Sequence, residues 1–494
     1  MGIAYGAFDM NVADASAPVN PTARINNFGV LGYCTAMSAN SWKKVNGYSD
    51  LDTEIGKGPL REFLNQFYTE ATKKSRSITV ICATQGTAGY NSAVTQVGTG
   101  DSELVVTGSA KWHVECVVTI VLGALVSGGT STAKISYDGG ETYEDTVTIP
   151  ATGIMPIDAD LGLTLTFEHA AELTATGDTY SWGCIPKSIP LGDADTAGSI
   201  LGELAAYFDE GTAPWPEAIH ICDKIAPAGV TALNTLAGTR LDLKAPCMFT
   251  GEFRRNHDSG AAYIAETVAE YVSDIQGATE GYAHASATSK KWFGWILGYP
   301  VITGWDATIR AESPAGSIYG VMARLSKLSD SAGATYINGA SNKLSGTVHS
   351  LQFTDAQNQT LNELGGSLIR GYQGAQGYWP SRMGTNAGNT SAYQMFDRMR
   401  VMILACGEVF ARLFPYIDVD MSGAEATAME PATLSADLTA WLTSRLSQYV
   451  TSIAAEVVDD PEVLDSLEVD ITLTALSKAS EITANLTMTE RVAA

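Results

Sequence analysis

Positive charge is what the sequence most lacks. Its 30 lysines and arginines face 54 aspartates and glutamates, a net of −24 over 494 residues. Nucleic-acid binders draw affinity from neutralising phosphates, so a large nucleic-acid surface is not expected. A strongly acidic surface keeps an abundant protein soluble and slows indiscriminate association. Cysteine is sparse as well. The 7 present (Cys34, Cys82, Cys116, Cys184, Cys222, Cys247 and Cys406) are odd in number, scattered, and never spaced C-x-x-C. Several lie in apolar runs such as Ile219-His-Ile-Cys222. This usage reads as small core residues in a reducing compartment, not a disulfide frame or a zinc site. Long apolar runs are missing too. The most apolar stretch, Val117 to Val126, is about half the roughly 20 residues of a membrane span. No basic-then-apolar leader opens the chain, so synthesis and assembly in a cytoplasm are expected.

Catalytic signatures are equally scarce. There is no G-x-x-x-x-G-K-S/T phosphate loop, no H-E-x-x-H helix, no G-x-S-x-G elbow and no repeated cysteine pair. Gly98-Thr-Gly100 lacks a third glycine and no helix follows it. The histidines stand apart, and His220 alternates with Ile219 and Ile221 in an apolar strand, which favours a structural role. No cofactor or metal is expected.

The densest polar cluster is Arg254-Arg-Asn-His-Asp258. A solvated loop with an Asp near a helix N-terminus is the first reading. Contact with carboxylates of a neighbouring copy is the second, and an anion site for paired arginines the third. Arg398, Arg400 and Arg412 lie on a helix whose other face is apolar. They form a solvated face or dock on a partner with charge setting the register. Arg254, Arg255, Arg398 and Arg400 are thus the candidate intersubunit charge contacts.

What is present is a change of period along the chain. Residues 1–22 read as an arm, with Ile3, Tyr5 and Phe8 followed by a proline- and alanine-rich connector. A strand at Asn27–Cys34, a helix opened by Pro59 and a strand at Ile78–Cys82 give β-α-β order and a parallel sheet. From 95 to 187 helix signals vanish. Strand runs dominate, and Asp138-Gly139-Gly140 marks a hairpin turn. That stretch reads as a β-sandwich or barrel inserted into an α/β domain made of 23–94 and 188–340. A helix is expected over Ala261–Ile275.

A C-terminal domain, 341–479, holds a helix at Thr354–Leu364, a hairpin around Gly371–Gly377 and a helix from Ser391 to Pro415. A second long helix starts near Thr433 and buries Leu434, Leu438, Trp441, Leu442, Leu446, Tyr449 and Ile453, ending before Asp459-Asp-Pro461. Two strands then close the chain, with no third beside them in sequence. Val469, Ile471 and Leu473 share one face of the first. Ile482, Leu486 and Met488 repeat the pattern in the second, which is the arm strand 480–494. A chain that ends on a strand must pair it, in the same molecule or in the next one.

Together these parts resemble a contractile tail sheath protein, of myophages or related injection particles. The resemblance is carried by the arm running into Asn27-Phe-Gly-Val-Leu-Gly32, the Gly56-Lys-Gly-Pro-Leu-Arg61 approach to the first helix, the insert with Ser136-Tyr-Asp-Gly-Gly-Glu-Thr-Tyr143, and the block from Gly371-Tyr to Arg400-Val before the final helix and strands. The turn Ser313-Pro-Ala-Gly316 departs from the family's usual proline- and glycine-rich turn there. The resemblance implies an α/β multidomain fold with extended arms and no active site. It implies a virion-tail or injection-particle location, six-fold rings stacked around an inner tube, and further contacts with baseplate and tail terminator proteins. It also implies arms exchanged by strand addition and contraction as a repacking of rigid subunits. Two alternatives stand beside it: another repeated virion component such as a capsid protein, and an α/β enzyme with a β-accessory domain. The enzyme predicts convergent polar residues at the strand ends.

Overall fold

The computed structural model describes residues 27–47, 51–71, 77–86, 89–168, 173–210, 215–242, 245–255, 258–259, 262–263, 266–276, 291–305, 309–324, 344, 348–350, 353–372, 375–381, 383–387, 396–413, 431–447, 449–459, 466–475 and 481–489. Ile3, Tyr5 and Phe8 of the expected arm lie outside them.

A seven-stranded sheet organises the chain. Its spatial order is Ser41–Asn46, Ser77–Cys82, Phe28–Gly32, Ala218–Lys224, Met248–Glu252, Phe293–Ile296 and Gly366–Ser367. All neighbours are parallel except Ser41–Asn46, which pairs antiparallel at one edge. The parallel strands are covered on both faces, and Phe28–Gly32 is buried at every residue. Continuous runs of Val, Ile and Phe suit that position. Ser41–Asn46 escapes a hydrophobicity reading because Lys43 and Lys44 interrupt it, as charges commonly do on an edge strand.

Helix Pro59–Glu70 crosses between the first parallel strands, with Gly58 at φ 124° turning the chain into it. Helix Ala315–Arg324 packs against it so closely that Gly316 and Gly320 lie against the carbonyls of Phe63 and Phe67.

Between Cys82 and Ala218 the chain leaves this sheet. One sheet there contains Tyr90–Asn91, Thr179–Ile185, Val114–Leu122, Thr132–Ser136 and Val147–Thr148, with Thr95–Val97 also on Thr179–Ile185. A second has the order Ile154–Met155, Leu163–Phe167, Leu104–Gly108. Both contribute to one core, including Leu104, Val118, Ile135, Leu165, Phe167, Tyr180 and Trp182, which is separate from the core of the large sheet. Asp138-Gly139-Gly140 begins a wide loop rather than a two-residue hairpin. The Asp138 carboxylate there accepts from the amides of Glu141 and Thr142 at 3.0 and 2.9 Å.

Two expectations need correction. The helix expected over Ala261–Ile275 runs from Val268 to Gln276, and Ala262–Tyr263 instead pairs with Asp258–Ser259. The start signal is Thr267-Val-Ala-Glu270. The Glu270 amide donates to Thr267 Oγ1 (3.2 Å) while Glu270 Oε2 accepts from the Thr267 amide (2.7 Å), a capping box.

The second correction reaches further. The last long helix ends at Leu446, and Val450–Asp459 is a ten-residue strand paired with Ser466–Ala475. Tyr449 and Ile453, three and then four residues on, continue the helical spacing of Leu434, Leu438, Leu442 and Leu446 by coincidence. Ile453, Ala455 and Val457 equally satisfy a period of two, and the pairing decides between them. The final sheet therefore has three strands, in the order Val450–Asp459, Ser466–Ala475, Glu481–Thr489.

Candidate functional site

The C-terminal sheet is built on helix Pro431–Leu446. Leu434, Leu438, Leu442 and Leu446 have no exposed surface, and neither do Val469, Ile471 and Leu473 of the middle strand. Register places Val469, Ile471 and Leu473 opposite Val457, Ala455 and Ile453 on one side, and opposite Leu486, Ala484 and Ile482 on the other.

The two edges of this sheet differ. On the Val450–Asp459 edge the outward amides meet hydroxyls of the helix. Ala455 N donates to Thr439 Oγ1 (3.0 Å) and Val457 N to Ser435 Oγ (2.8 Å). Ser435 Oγ in turn donates to Pro431 O (2.8 Å). That edge is closed by side chains, one of the ways proteins block strand addition. The Glu481–Thr489 edge pairs only inward, and among the described residues no strand covers its other side. A nine-residue strand whose outer row of amides and carbonyls meets no strand among the described residues is a template for another chain.

The helices beneath are fastened by charge. Arg412 donates to both Asp437 oxygens at 2.7 and 2.8 Å, and these hydrogen bonds hold the Asp437 carboxyl below its usual range. Burial pushes Glu408 up, against the opposing pull of Arg445 and of Trp441 Nε1, which donates to it at 3.1 Å.

The four arginines expected between copies all sit inside the chain's own structure. Arg400 is 2 % exposed and donates to Glu217 Oε1 through Nη2 (2.7 Å) and Nε (3.1 Å), with its guanidinium 5.5 Å from the Phe28 ring. It clamps helix Phe396–Leu413 to the start of a central strand. Arg398 on the same helix is also buried. Arg254 forms paired bonds to Glu266 at 2.8 and 2.6 Å and also meets Asp274. Arg255 meets Glu312 at 3.0 Å and lies 4.3 Å from the Tyr299 ring.

Arg255 also borders a crevice at the carboxyl ends of the parallel strands. It lies where strand order reverses between Phe28–Gly32 and Ala218–Lys224, the place where doubly wound sheets hold ligands. Glu62, Asp223, Glu252 and Glu312 converge there. No local pattern announces this convergence, since the four come from positions far apart. The cavity is about 80 Å³, against the roughly 300 Å³ or more of small-molecule sites.

The crevice groups bind one another. Burial works against the Glu252 carboxylate, but His220, 3.5 Å away, and Arg255 hold it below its usual range. His220 Nδ1 is 2.9 Å from Thr250 Oγ1, and the ring stacks on Phe63.

Asp223 accepts from the amides of Ile189 and Lys224, joining the segment that leaves the insert to the central sheet. Burial pushes its pKa up to about 7, above the ordinary 3.8. The folded state then holds more protons than the unfolded one between these values, so this group's contribution makes stability fall as pH rises through the window. The shift is worth up to about 4 kcal/mol, an upper bound because water can enter the cavity. In urea unfolding at pH 5 and pH 8, Asp223→Asn is expected to narrow the difference between the two midpoints. An unchanged difference would refute the assignment.

The chain matches the family described as "DUF2586, N-terminal domain" over residues 11–383. No curated protein matches it. Among solved structures it is similar to the sheath tail protein of Desulfitobacterium hafniense (12 % identity, 94 % of this chain and 96 % of that one, TM-score 0.45). It is similar to the sheath tail protein of Listeria innocua (10 % identity, 95 % and 98 %, TM-score 0.46). It is also similar to the helical sheath of the anti-feeding prophage in the contracted state (10 % identity, 100 % and 98 %, TM-score 0.45).

Proposed function

The chain belongs to the DUF2586 family, and we propose that it is the structural subunit of a contractile tail sheath. Copies stack as six-fold rings around an inner tube and contract to drive that tube through a target envelope. Baseplate and tail terminator proteins are the partners at the two ends. The observation that supports this reading is the unequal pair of edges on the C-terminal sheet. One is sealed by Ser435 and Thr439, and along the other, Glu481–Thr489, no further strand pairs among the described residues. A strand donated by the N-terminal arm of another copy, where Ile3 and Tyr5 share one face and Phe8 falls on the other, completes that edge. The insert, with its own core and interrupting the large sheet in sequence, projects from the shell without a role in contraction. The energy of contraction resides in packing between copies, so no nucleotide or cofactor is needed.

Electron microscopy of the purified chain tests this, beside a variant lacking residues 480–494 and the double variant Thr483→Lys/Thr487→Lys. Lysines on an edge strand oppose strand addition without disturbing the inward pairing. The intact chain is expected to form hollow cylinders and both variants to remain unassembled, with the lysine variant keeping the parent's circular dichroism spectrum. Small closed oligomers from the intact chain, or cylinders from the lysine variant, would sink the proposal.

A further inference from the structure

Cys34 and Cys82 lie 48 positions apart in sequence, yet their sulfurs are 3.9 Å apart. Cys82 ends one parallel strand of the large sheet and Cys34 lies two residues past the end of its neighbour, where Gly32 pairs with Cys82 and the Ala83 amide donates to Gly32 O at 2.9 Å. A disulfide needs the sulfurs about 1.9 Å closer.

We propose that Cys34 and Cys82 form a latent dithiol, converted by a peroxide into an intrachain disulfide. This is independent of any role in a sheath.

The two thiols are not equivalent. Their shared hydrogen bond, opposed by burial but aided by backbone bonds from Met37 and Ala36 and by the charge of Lys43, holds Cys34 below the ordinary thiol range. The same pairing pushes Cys82 up, with burial adding to it. Cys82 also reaches Met37 O at 3.6 Å, a contact in which only its S–H can donate. Cys34 is therefore the sulfur that ionises first, and reactivity follows the thiolate. Both sulfurs are buried, and access to Cys34 is through the loop that follows it, which alternates outward with Ala36, Ser38 and Asn40 exposed.

The chemistry runs in two steps. The Cys34 thiolate attacks one peroxide oxygen, the O–O bond breaks, and the departing hydroxide takes a proton to leave as water, giving a sulfenic acid at Cys34. The Cys82 sulfur then attacks the Cys34 sulfur. Its S–H proton passes to the departing oxygen, the S–O bond breaks, and a second water leaves. Two thiols are oxidised, one peroxide is reduced, and the product is one disulfide and two waters.

The other close thiols offer an internal comparison. Cys116 and Cys184 hydrogen-bond across adjacent strands in the core of the insert, but burial is the leading influence on Cys116 and pushes it well above the ordinary range. Burial does the same to Cys222 and Cys247. These should react later.

The test uses the full chain, treated with hydrogen peroxide and then analysed by intact mass and non-reducing peptide mapping. The expected product has lost two hydrogens and carries a Cys34–Cys82 cross-link. Its unfolding midpoint rises and returns to the starting value with dithiothreitol, because the bond restricts the unfolded chain. Cys82→Ser should stop at a Cys34 sulfenic acid that dimedone captures, and Cys34→Ser should give neither product. Retention of all seven thiols, a first cross-link at Cys116–Cys184, or links only between molecules would overturn the proposal.

Discussion

Replacing Arg400 by alanine is expected to destabilise the chain by about 3–5 kcal/mol, the usual cost of breaking a buried ion pair from one side. Glu217 is 4 % exposed and loses the guanidinium that faces it. Two hydrogen bonds and the contact with Phe28 disappear together. The loss falls on the joint between the C-terminal helix and the central sheet, so helix Phe396–Leu413 should become more susceptible to limited proteolysis. The pair also carries a desolvation cost that an apolar pair would not. Arg400→Met with Glu217→Leu should recover most of the stability lost by Arg400→Ala. Urea midpoints for the three variants decide the matter. A loss below about 1 kcal/mol for Arg400→Ala would mean that water reaches the site and screens Glu217.

Gly320→Val is expected to be still more disruptive, leaving little soluble protein. A Cβ at Gly320 would stand 2.6 Å from Phe67 O, and one at Gly316 would stand 2.3 Å from Phe63 O. Both obstacles are backbone, so no side chain can turn aside and helices Pro59–Glu70 and Ala315–Arg324 must separate. Overpacking of a close contact costs about 1–3 kcal/mol when the structure can relax, and a rigid backbone contact relaxes least. Ser317, between the two glycines, sets a milder standard. Its Oγ meets Gln66 Oε1 at 3.3 Å, so Ser317→Ala should cost about 1 kcal/mol. Gly238 supplies the opposite sign. It lies in helix Pro227–Asp242 with open space where a Cβ would go, and Gly238→Ala should stabilise by about 0.5–1 kcal/mol. Equal effects at Gly238 and Gly320 would contradict the close-packing account.

These residues mark the boundary of what the sequence disclosed. Strands buried on both faces, such as Phe28–Gly32 and Ser77–Cys82, announce themselves by apolar runs. The insert announces itself by alternation, as in Val114–Leu122. Ser41–Asn46 and Val450–Asp459 did not, the first because edge strands carry charge and the second because its apolar positions fit two periods at once. The arginines were conspicuous, but their partners were not. Glu217 is 183 positions from Arg400, and no local pattern relates them. The sealing hydroxyls Ser435 and Thr439 left a fainter trace, an i, i+4 pair on the helix turn beside Leu434 and Leu438. Only the course of the following strand gives that pair its meaning.

A sheet with one sealed edge, and another that no strand covers among the described residues, also bears on how a solution of free subunits behaves. Two identical open strands brought together about a two-fold axis would satisfy each other and stop, whereas a strand laid on a different surface of the next copy leaves a new vacancy and continues. The first outcome stores subunits as inert pairs and the second consumes them. Growth then depends on a starter that presents the second kind of contact already formed, and the onset of polymerisation should show a lag that preformed seeds abolish.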